Sequence, residues 1–185
     1  VESDQESSLV LAAFQLALCD PGWLGGEVAG VTRLQRLDRA LEWLWRNRRD
    51  SGRGLIWSGF TADWGDVERS YADQRAIKLS DRSRRTFSIY AQALFVQAAH
   101  KLAIMAERLN EVKLAGKWLQ RREAVADESR RQLYLPEQGY FLVHRVAAGD
   151  DNFKWEQNML AVGGNAEAMR AGLMTTAEIA RFLGV

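Results

Sequence analysis

The chain has 185 residues, of which 47% are hydrophobic and 26% are charged, and this composition predicts one globular domain rather than a disordered chain. Its 25 basic and 24 acidic side chains leave a formal net charge of +1, so bulk charge does not attract the chain to nucleic acid or to anionic lipid. One cysteine excludes an internal disulfide, and two histidines are too few for a histidine-rich metal centre.

Two helices and a long loop are predicted in the first part of the chain. The apolar segment Leu9–Leu18 predicts a helix that ends at Asp20-Pro21-Gly22, because proline and glycine favour a turn. Between Gly26 and Arg49, apolar residues recur at steps of three and four, which predicts a second helix. Residues 50–81 are irregular and rich in aromatic and acidic side chains, and long ordered loops of this kind commonly carry function.

A helical hairpin is predicted in the middle of the chain. The apolar stripe of Arg84–Asn110 and the helix-favouring composition of Glu111–Leu133 indicate two consecutive helices joined by a short link. After the turn at Pro136-Glu137-Gln138-Gly139, aromatic and β-branched residues at 140–146 predict a small β-ribbon. This pairing of helices indicates stacked helical hairpins.

The C-terminal part is also predicted to be helical. A helix is expected to begin near Phe153 and to be interrupted at Gly163-Gly164, and a final helix is expected after the capping-box sequence that starts at Thr175 and ends at Glu178. No proline-rich or serine-rich linker divides the chain. We therefore expect a single, mainly all-α domain over residues 1–185.

The segment Gly54–Glu68 carries the strongest chemical pattern in the sequence. It contains two tryptophans, Trp57 and Trp64, together with the carboxylates Asp63 and Asp66. An indole face stacks on the C–H face of a sugar ring, and a neighbouring carboxylic acid can protonate a glycosidic oxygen. The segment therefore predicts a carbohydrate site.

The sequence Thr61-Ala62-Asp63-Trp64-Gly65-Asp66 also resembles a known motif. It is similar to the Ala-Asp-Trp-x-Asp segment of the six-hairpin glycosidases and the related inverting disaccharide phosphorylases, which share an (α/α)6 barrel. The order of helices and turns over Gly54–Val185 resembles the same superfamily, including the sequence from Glu156 to Val162. Only Ala62–Asp66 is specific enough to transfer roles residue by residue.

The resemblance implies that Asp66 is the general acid of an inverting glycoside hydrolase and that Trp64 is a sugar platform. Asp63 would then be a second catalytic or substrate-contacting carboxylate. Two carboxyl groups in one cleft disfavour double ionisation, which raises one apparent pKa and keeps a proton available. Trp57 and Tyr140 would shape the sugar site.

This chain departs from the family pattern in two respects. The resemblance implies a barrel of twelve helices, whereas the periodicity of this sequence predicts about six, so the domain is either a partial barrel or one that associates with the rest of a barrel or with a second copy. An inverting hydrolase also needs a general base about 6.5–9.5 Å from the acid. Glu156, Asp151 and Glu137 are candidates for that base, and Glu156 is also a candidate substrate contact. A phosphorylase would need no base, but the sequence has no specific phosphate-binding motif.

Structural roles compete with these functional ones. The helical tryptophans Trp43, Trp45 and Trp118 are predicted to be core or helix-packing residues, whereas ligand binding and packing are equally favoured for Trp57 and Trp64. Without the resemblance, the acidic residues of the segment are better explained as helix caps or as partners of nearby arginines.

Several functional classes follow from these patterns. The expected partner is an oligosaccharide or a glycoside, without a cofactor. The first alternative is a noncatalytic domain that binds carbohydrate or protein through the aromatic loop. Nucleic-acid binding is not expected, despite the basic cluster Arg82–Arg85, because the overall charge is balanced and no recognised motif is present. A membrane partner is not expected either, because no apolar run reaches the ~20 residues of a spanning helix. The sequence does not identify the compartment, although a cytoplasmic location is slightly favoured.

Overall fold

The computed structural model describes residues 5–59, 85–146 and 160–185. Within these ranges the fold is mainly helical, which confirms the mainly all-α part of the predicted fold class. The α-helices are α1 (Gln5–Cys19), α2 (Arg33–Arg48), α3 (Ile89–Arg108), α4 (Val112–Leu133), α5 (Val162–Arg170) and α6 (Thr176–Leu183). None of the helices in these ranges is long and apolar enough to cross a membrane.

Short strands connect the helices. They are β1 (Glu27–Val28), β2 (Val31–Thr32), β3 (Ser58–Gly59), β4 (Arg85–Ser88), β5 (Tyr134–Leu135), β6 (Tyr140–Phe141) and β7 (His144–Val146). They form an antiparallel β1–β2 pair, an antiparallel β5–β6 pair and a three-stranded antiparallel sheet in the order β3–β4–β7. Residues 140–146 therefore contain two strands, but these do not form a ribbon with each other, because β6 pairs with β5 and β7 pairs with β4.

Helix α3 lies at the centre of the fold. It contacts α1, α2, α4 and α5, and residues on every side of it are buried. Its sequence is rich in alanine and other apolar residues around its whole circumference, and a helix with that composition must be enclosed by other elements. Phe95, Leu102 and Met105 of α3 are fully buried in the common core.

The predicted hairpin of two consecutive helices joined by a short link is present as α3 and α4. Asn110 adopts a φ of 60° in the link, a left-handed conformation that asparagine tolerates better than most residues. Trp118 of α4 is fully buried and meets Phe95 of α3 edge-on, with the ring centres 6.4 Å apart. The hairpin thus places the largest buried side chain of the described residues against the central helix.

Helix α2 begins seven residues later than predicted, at Arg33. The residues before it form the β1–β2 hairpin, whose turn places both Ala29 and Gly30 at positive φ. Thr32 then caps α2: its side chain accepts a hydrogen bond from Gln35 N, and the Gln35 side chain accepts one from Thr32 N. This reciprocal cap determines the start of the helix, and Val31 lies in a strand rather than on the predicted helical stripe.

Helix α3 also begins later than predicted, at Ile89 rather than near Arg84. Residues 85–88 form β4, the central strand of the three-stranded sheet. The Ser88 side chain accepts a hydrogen bond from Ala91 N and caps the helix. The apolar periodicity continued through Phe87 because a strand that is buried on both faces also presents apolar residues.

The glycine pair does not interrupt a helix as predicted. Gly163 and Gly164 both lie in the first turn of α5. An added Cβ at Gly164 would lie 2.7 Å from Ile89 Cγ2, so glycine is required where α5 approaches the start of α3. The final helix agrees with its prediction, including the capping box between Thr175 and Glu178.

Candidate functional site

The three-stranded sheet connects the two segments in which the catalytic carboxylates are predicted. Gly59, the last residue of β3, lies opposite Arg85, the first residue of β4. Val146, the last residue of β7, lies opposite Thr86 of β4. The described residues that flank segment 60–84, and the residue that precedes segment 147–159, therefore lie at one end of one sheet, with β3 and β7 on either side of β4.

The predicted site residues divide into two groups. Asp63, Trp64, Asp66 and Glu156 lie outside the described residues. Trp57 and Tyr140 are described, and so is Glu137, one of the candidate bases.

Trp57 lies immediately before β3 and is half-buried. The Arg85 guanidinium carbon lies 4.4 Å from the centre of the indole ring, and that of Arg48 lies 5.7 Å from it. Trp57 N also donates a 2.8 Å hydrogen bond to Arg48 O. The two arginine contacts have cation–π geometry, and together with the backbone hydrogen bond they hold Trp57 beside Arg48 and Arg85.

Gln92 of α3 fixes the backbone next to Trp57. Its Oε1 accepts a 2.8 Å hydrogen bond from Ile56 N, and its Nε2 donates to Ile56 O at 2.7 Å and to Ser88 O at 3.1 Å. Gln92 and Ile56 are almost completely buried, so these bonds form away from water, where leaving either partner unpaired is costly. Sequence reasoning missed this residue because a glutamine in a helix carries no signal of its distant partner.

One face of the sheet combines aromatic rings with arginines. Arg85 and Phe87 alternate on this face of β4, and Arg145 of β7 lies opposite Phe87. The Arg53 guanidinium carbon lies 5.3 Å from the centre of the Phe87 ring. We call this surface the aromatic–arginine face, defined by Arg53, Trp57, Arg85, Phe87 and Arg145.

The other face of the sheet is polar and buried. Ser58 Oγ lies 3.3 Å from both Thr86 Oγ1 and Ser88 Oγ. His144 lies opposite Ser88 and is only 4% exposed. Hydroxyl and imidazole groups therefore surround the junction of the strands, and hydrogen bonds satisfy the hydroxyls that burial removes from water.

Tyr140 belongs to a different sheet from Trp57. It lies in β6, opposite Leu135 of β5, and is half-buried. Asn165 of α5 fixes the next residue: its Oδ1 accepts a 2.8 Å hydrogen bond from Phe141 N, and its Nδ2 donates to Phe141 O at 3.0 Å. The structure thus anchors Tyr140 firmly but does not place it on the sheet that carries Trp57.

Glu137 lies in the exposed turn between β5 and β6. Arg181 of α6 donates hydrogen bonds to the backbone oxygens of Pro136 and Glu137, at 3.0 Å and 2.5 Å. The turn is therefore tied to α6 through its backbone. A general base works best in a site protected from bulk water, and this exposed position does not favour Glu137 for that role.

The three helical tryptophans have different environments. Trp118 is buried as predicted, and Trp45 is half-buried and stacked on Phe95 with the ring centres 5.8 Å apart. Trp43 is 45% exposed and therefore does not lie in the core. Its position on the outer side of α2 leaves only a contact with Arg48, 5.4 Å from the ring centre, among the described rings and cations.

The described carboxylates with shifted pKa values are structural rather than catalytic in character. Hydrogen bonding to Arg121 is the largest cause that lowers the pKa of Glu42 to about 2, and hydrogen bonding to Arg130 does the same for Glu178. Hydrogen bonding to Arg131 likewise lowers the pKa of Glu128. A general acid near neutral pH needs a raised pKa, so none of these three carboxyls is suited to protonate a leaving group.

Within residues 5–59, 85–146 and 160–185, no group of three histidine, cysteine, aspartate or glutamate side chains is placed to hold a metal ion. In comparisons with known proteins, the sequence matches no protein-family model, and no curated protein resembles it significantly.

Proposed function

We propose that this protein is a glycoside hydrolase that acts by inversion on an oligosaccharide or a glycoside. The proposal begins from the carbohydrate-like motif that contains Asp63, Trp64 and Asp66. The observation that carries it is the β3–β4–β7 sheet, because Gly59 and Val146, which precede the segments containing Asp66 and Glu156, lie at the same end of the sheet on either side of β4. The two carboxylates of an inverting hydrolase must lie about 6.5–9.5 Å apart, and a common end of the sheet favours such proximity.

In the proposed reaction, the Asp66 carboxylic acid donates its proton to the glycosidic oxygen as the bond from that oxygen to the anomeric carbon breaks. A second carboxylate removes a proton from water, whose oxygen attacks the opposite face of the same carbon. Glu156 is the candidate base of this pair. Asp63 raises the pKa of Asp66 if both share the cleft.

Aromatic residues would position the sugar. Trp64 is the proposed platform, and Trp57 and Tyr140 are proposed to border the site. The contacts of Trp57 support its part of the proposal: Trp57 N donates a hydrogen bond to Arg48 O, Gln92 holds the backbone of the preceding residue, Ile56, and Arg85 contacts the indole ring. Preorganised contacts of this kind reduce the entropy lost when a ligand is positioned.

The helices are consistent with a wider architectural proposal. We propose that the hairpins of this chain, of which α3–α4 is the clearest, are stacked as in an (α/α)6 barrel. The part that has been described would form an incomplete ring, which either the remainder of a barrel or a second copy could complete.

The proposed function predicts that Asp66→Asn leaves the fold intact but lowers turnover by about 10²–10⁴-fold, because it removes the proton donor. The purified chain is assayed on α- and β-linked disaccharides, with released monosaccharide as the readout. Asp127→Asn is the matched control, since Asp127 is exposed on α4 and the same acid-to-amide change there should leave turnover unchanged.

Added phosphate separates the related chemistries. If an Asp66-dependent reaction forms a sugar phosphate, the protein is a phosphorylase rather than a hydrolase. Equal turnover by wild-type protein and Asp66→Asn would reject Asp66 as the acid. Saccharide binding without turnover, retained in Asp66→Asn and weakened in Trp64→Ala, would instead identify a noncatalytic binding domain.

A further inference from the structure

The aromatic–arginine face has an uneven charge. It carries three guanidinium groups, on Arg53, Arg85 and Arg145, whereas none of the described residues of β3, β4 and β7 is acidic. An excess of one charge on a surface beside a cleft raises the local concentration of oppositely charged ligands. The face is therefore electrostatically suited to an anion.

The guanidinium of Arg85 makes different contacts from those of Arg53 and Arg145, the other two arginines of the aromatic–arginine face. The Arg145 Nε donates a 2.5 Å hydrogen bond to Gln132 O, and Arg53 is held over the Phe87 ring. Arg85 is exposed, stacks on Trp57 and forms no ion pair with any residue in the described ranges. No described residue accepts a hydrogen bond from its guanidinium, which lies at the same end of the sheet as Gly59 and Val146.

Nearby described carboxylates are already engaged. Asp50 Oδ1 accepts a 2.7 Å hydrogen bond from Arg53 N within its own turn. Glu128 Oε2 accepts hydrogen bonds from Arg131 and from Gln132, at 2.5 Å and 2.7 Å. These acids stabilise local backbone and helix contacts and do not neutralise Arg85.

We propose that Arg85, supported by Trp57, binds the negatively charged group of an acidic saccharide. The inference rests on the proposed function and narrows its substrate class from saccharides in general to sugars that bear a carboxylate, phosphate or sulfate. An arginine fork pairs with the two oxygens of such a group in a bidentate manner. The indole beside it supplies the apolar surface that the C–H face of the sugar ring requires.

Binding, rather than turnover, tests this inference. Titration calorimetry at low ionic strength compares the methyl glucuronides with the methyl glucosides of both anomers, using the wild-type chain and Asp66→Asn. The glucuronide is expected to bind about tenfold more tightly than the glucoside, because a charge-assisted hydrogen bond is stronger than a neutral one. Added salt should reduce this difference.

Variants of Arg85 identify the group responsible. Arg85→Gln should abolish the preference for the acidic sugar, and Arg85→Lys should retain part of it. Arg39→Gln is the matched control, because Arg39 is exposed on α2 and lies on a different element from the face. An unchanged preference in Arg85→Gln, with a normal circular dichroism spectrum, would overturn the proposal.

Further ligands separate the possible anionic groups. Glucose 6-phosphate and glucose 6-sulfate, compared with the glucuronide, show which charged group is preferred. Inorganic sulfate or phosphate that binds as tightly as the sugars would indicate a simple anion site and contradict saccharide recognition. Equal binding of neutral and acidic sugars would reject this inference alone, since the hydrolase proposal depends on Asp66 and is judged by turnover.

Discussion

At the residue scale, two adjacent glycines of α5 have opposite structural requirements. An added Cβ at Gly164 would meet Ile89 Cγ2 at 2.7 Å, whereas an added Cβ at Gly163 would meet no atom within 4 Å. Gly164→Ala is therefore expected to lower the free energy of unfolding by about 1–3 kcal/mol, because α5 must move away from α3. Urea unfolding followed by circular dichroism measures the change.

Gly163→Ala is the control for that variant, because it makes the same chemical change one residue away. Alanine favours the helix more than glycine does, so we expect either no change or stabilisation of about 0.5–1 kcal/mol. Equal destabilisation by both variants would show that the start of α5 is not packed against Ile89 as described.

Two amide side chains, Gln92 and Asn165, hold backbone near the candidate site and were not predicted from the sequence. The sequence around Trp57 predicted an aromatic ligand site, but nothing near Gln92 indicated that its amide holds Ile56 from 36 positions away. Similarly, Asn165 fixes Phe141 across 24 positions. Side-chain amides have high pairing capacity but no periodic pattern, so their distant partners become evident only when the helices are placed.

At the element scale, an ionic cluster joins α2 to α4. Glu42 of α2 accepts hydrogen bonds from Arg121 and Lys117 of α4, at 2.6 Å and 3.3 Å, and from Arg46 of its own helix. Asp38, one turn earlier, accepts from Lys117 Nζ at 2.6 Å and from Trp118 Nε1 at 2.9 Å. The cluster connects the second helix to the hairpin that surrounds the core.

The cluster predicts a pH dependence of stability. The pKa of Glu42 falls from 4.5 to about 2 in the folded protein, so the carboxylate form is favoured by folding. Its stabilisation is fully present above pH 4.5 and is lost as the pH falls towards 2. We expect Glu42→Gln to lower the free energy of unfolding at pH 7 by about 1–2 kcal/mol and to weaken its decline below pH 4.5.

Denaturant unfolding at several pH values tests this prediction. Glu107→Gln is the control, since Glu107 is exposed at the end of α3, and its stability curve should follow the wild type. Glu178, whose pKa also falls to about 2, contributes in the same direction and should leave a residual acid dependence in Glu42→Gln. A curve for Glu42→Gln that parallels the wild type at every pH would contradict the role given to the cluster.

At the scale of the whole molecule, one core connects the described helices. Buried residues of α1, α2, α3, α4 and α5 belong to a single hydrophobic cluster, and α3 contacts each of the other four. Loss of any one of these helices would expose apolar surface on α3. We therefore predict one cooperative thermal transition, with equal calorimetric and van't Hoff enthalpies.

Differential scanning calorimetry provides the measurement, with circular dichroism and tryptophan fluorescence as independent probes. Coincident transitions are expected, because buried Trp118 and the helices it contacts belong to the same core. Two resolved transitions would contradict a single cooperative unit and would indicate that the α1–α2 part unfolds separately from the α3–α4 hairpin.

The sequence alone determined the helical character, the α3–α4 hairpin and the final capped helix, because apolar periodicity and caps are local properties. It placed the start of α2 too early because the β1–β2 hairpin and the Thr32 cap precede the helix, and the start of α3 too early because a buried strand, like a buried helix, presents apolar residues. Only the tertiary structure decided which strands pair. That pairing places Gly59, Arg85 and Val146 at one end of the sheet, and the fold sets Arg85 against Trp57. The sequence did not predict these contacts, because contacts between residues far apart in the chain leave no local pattern.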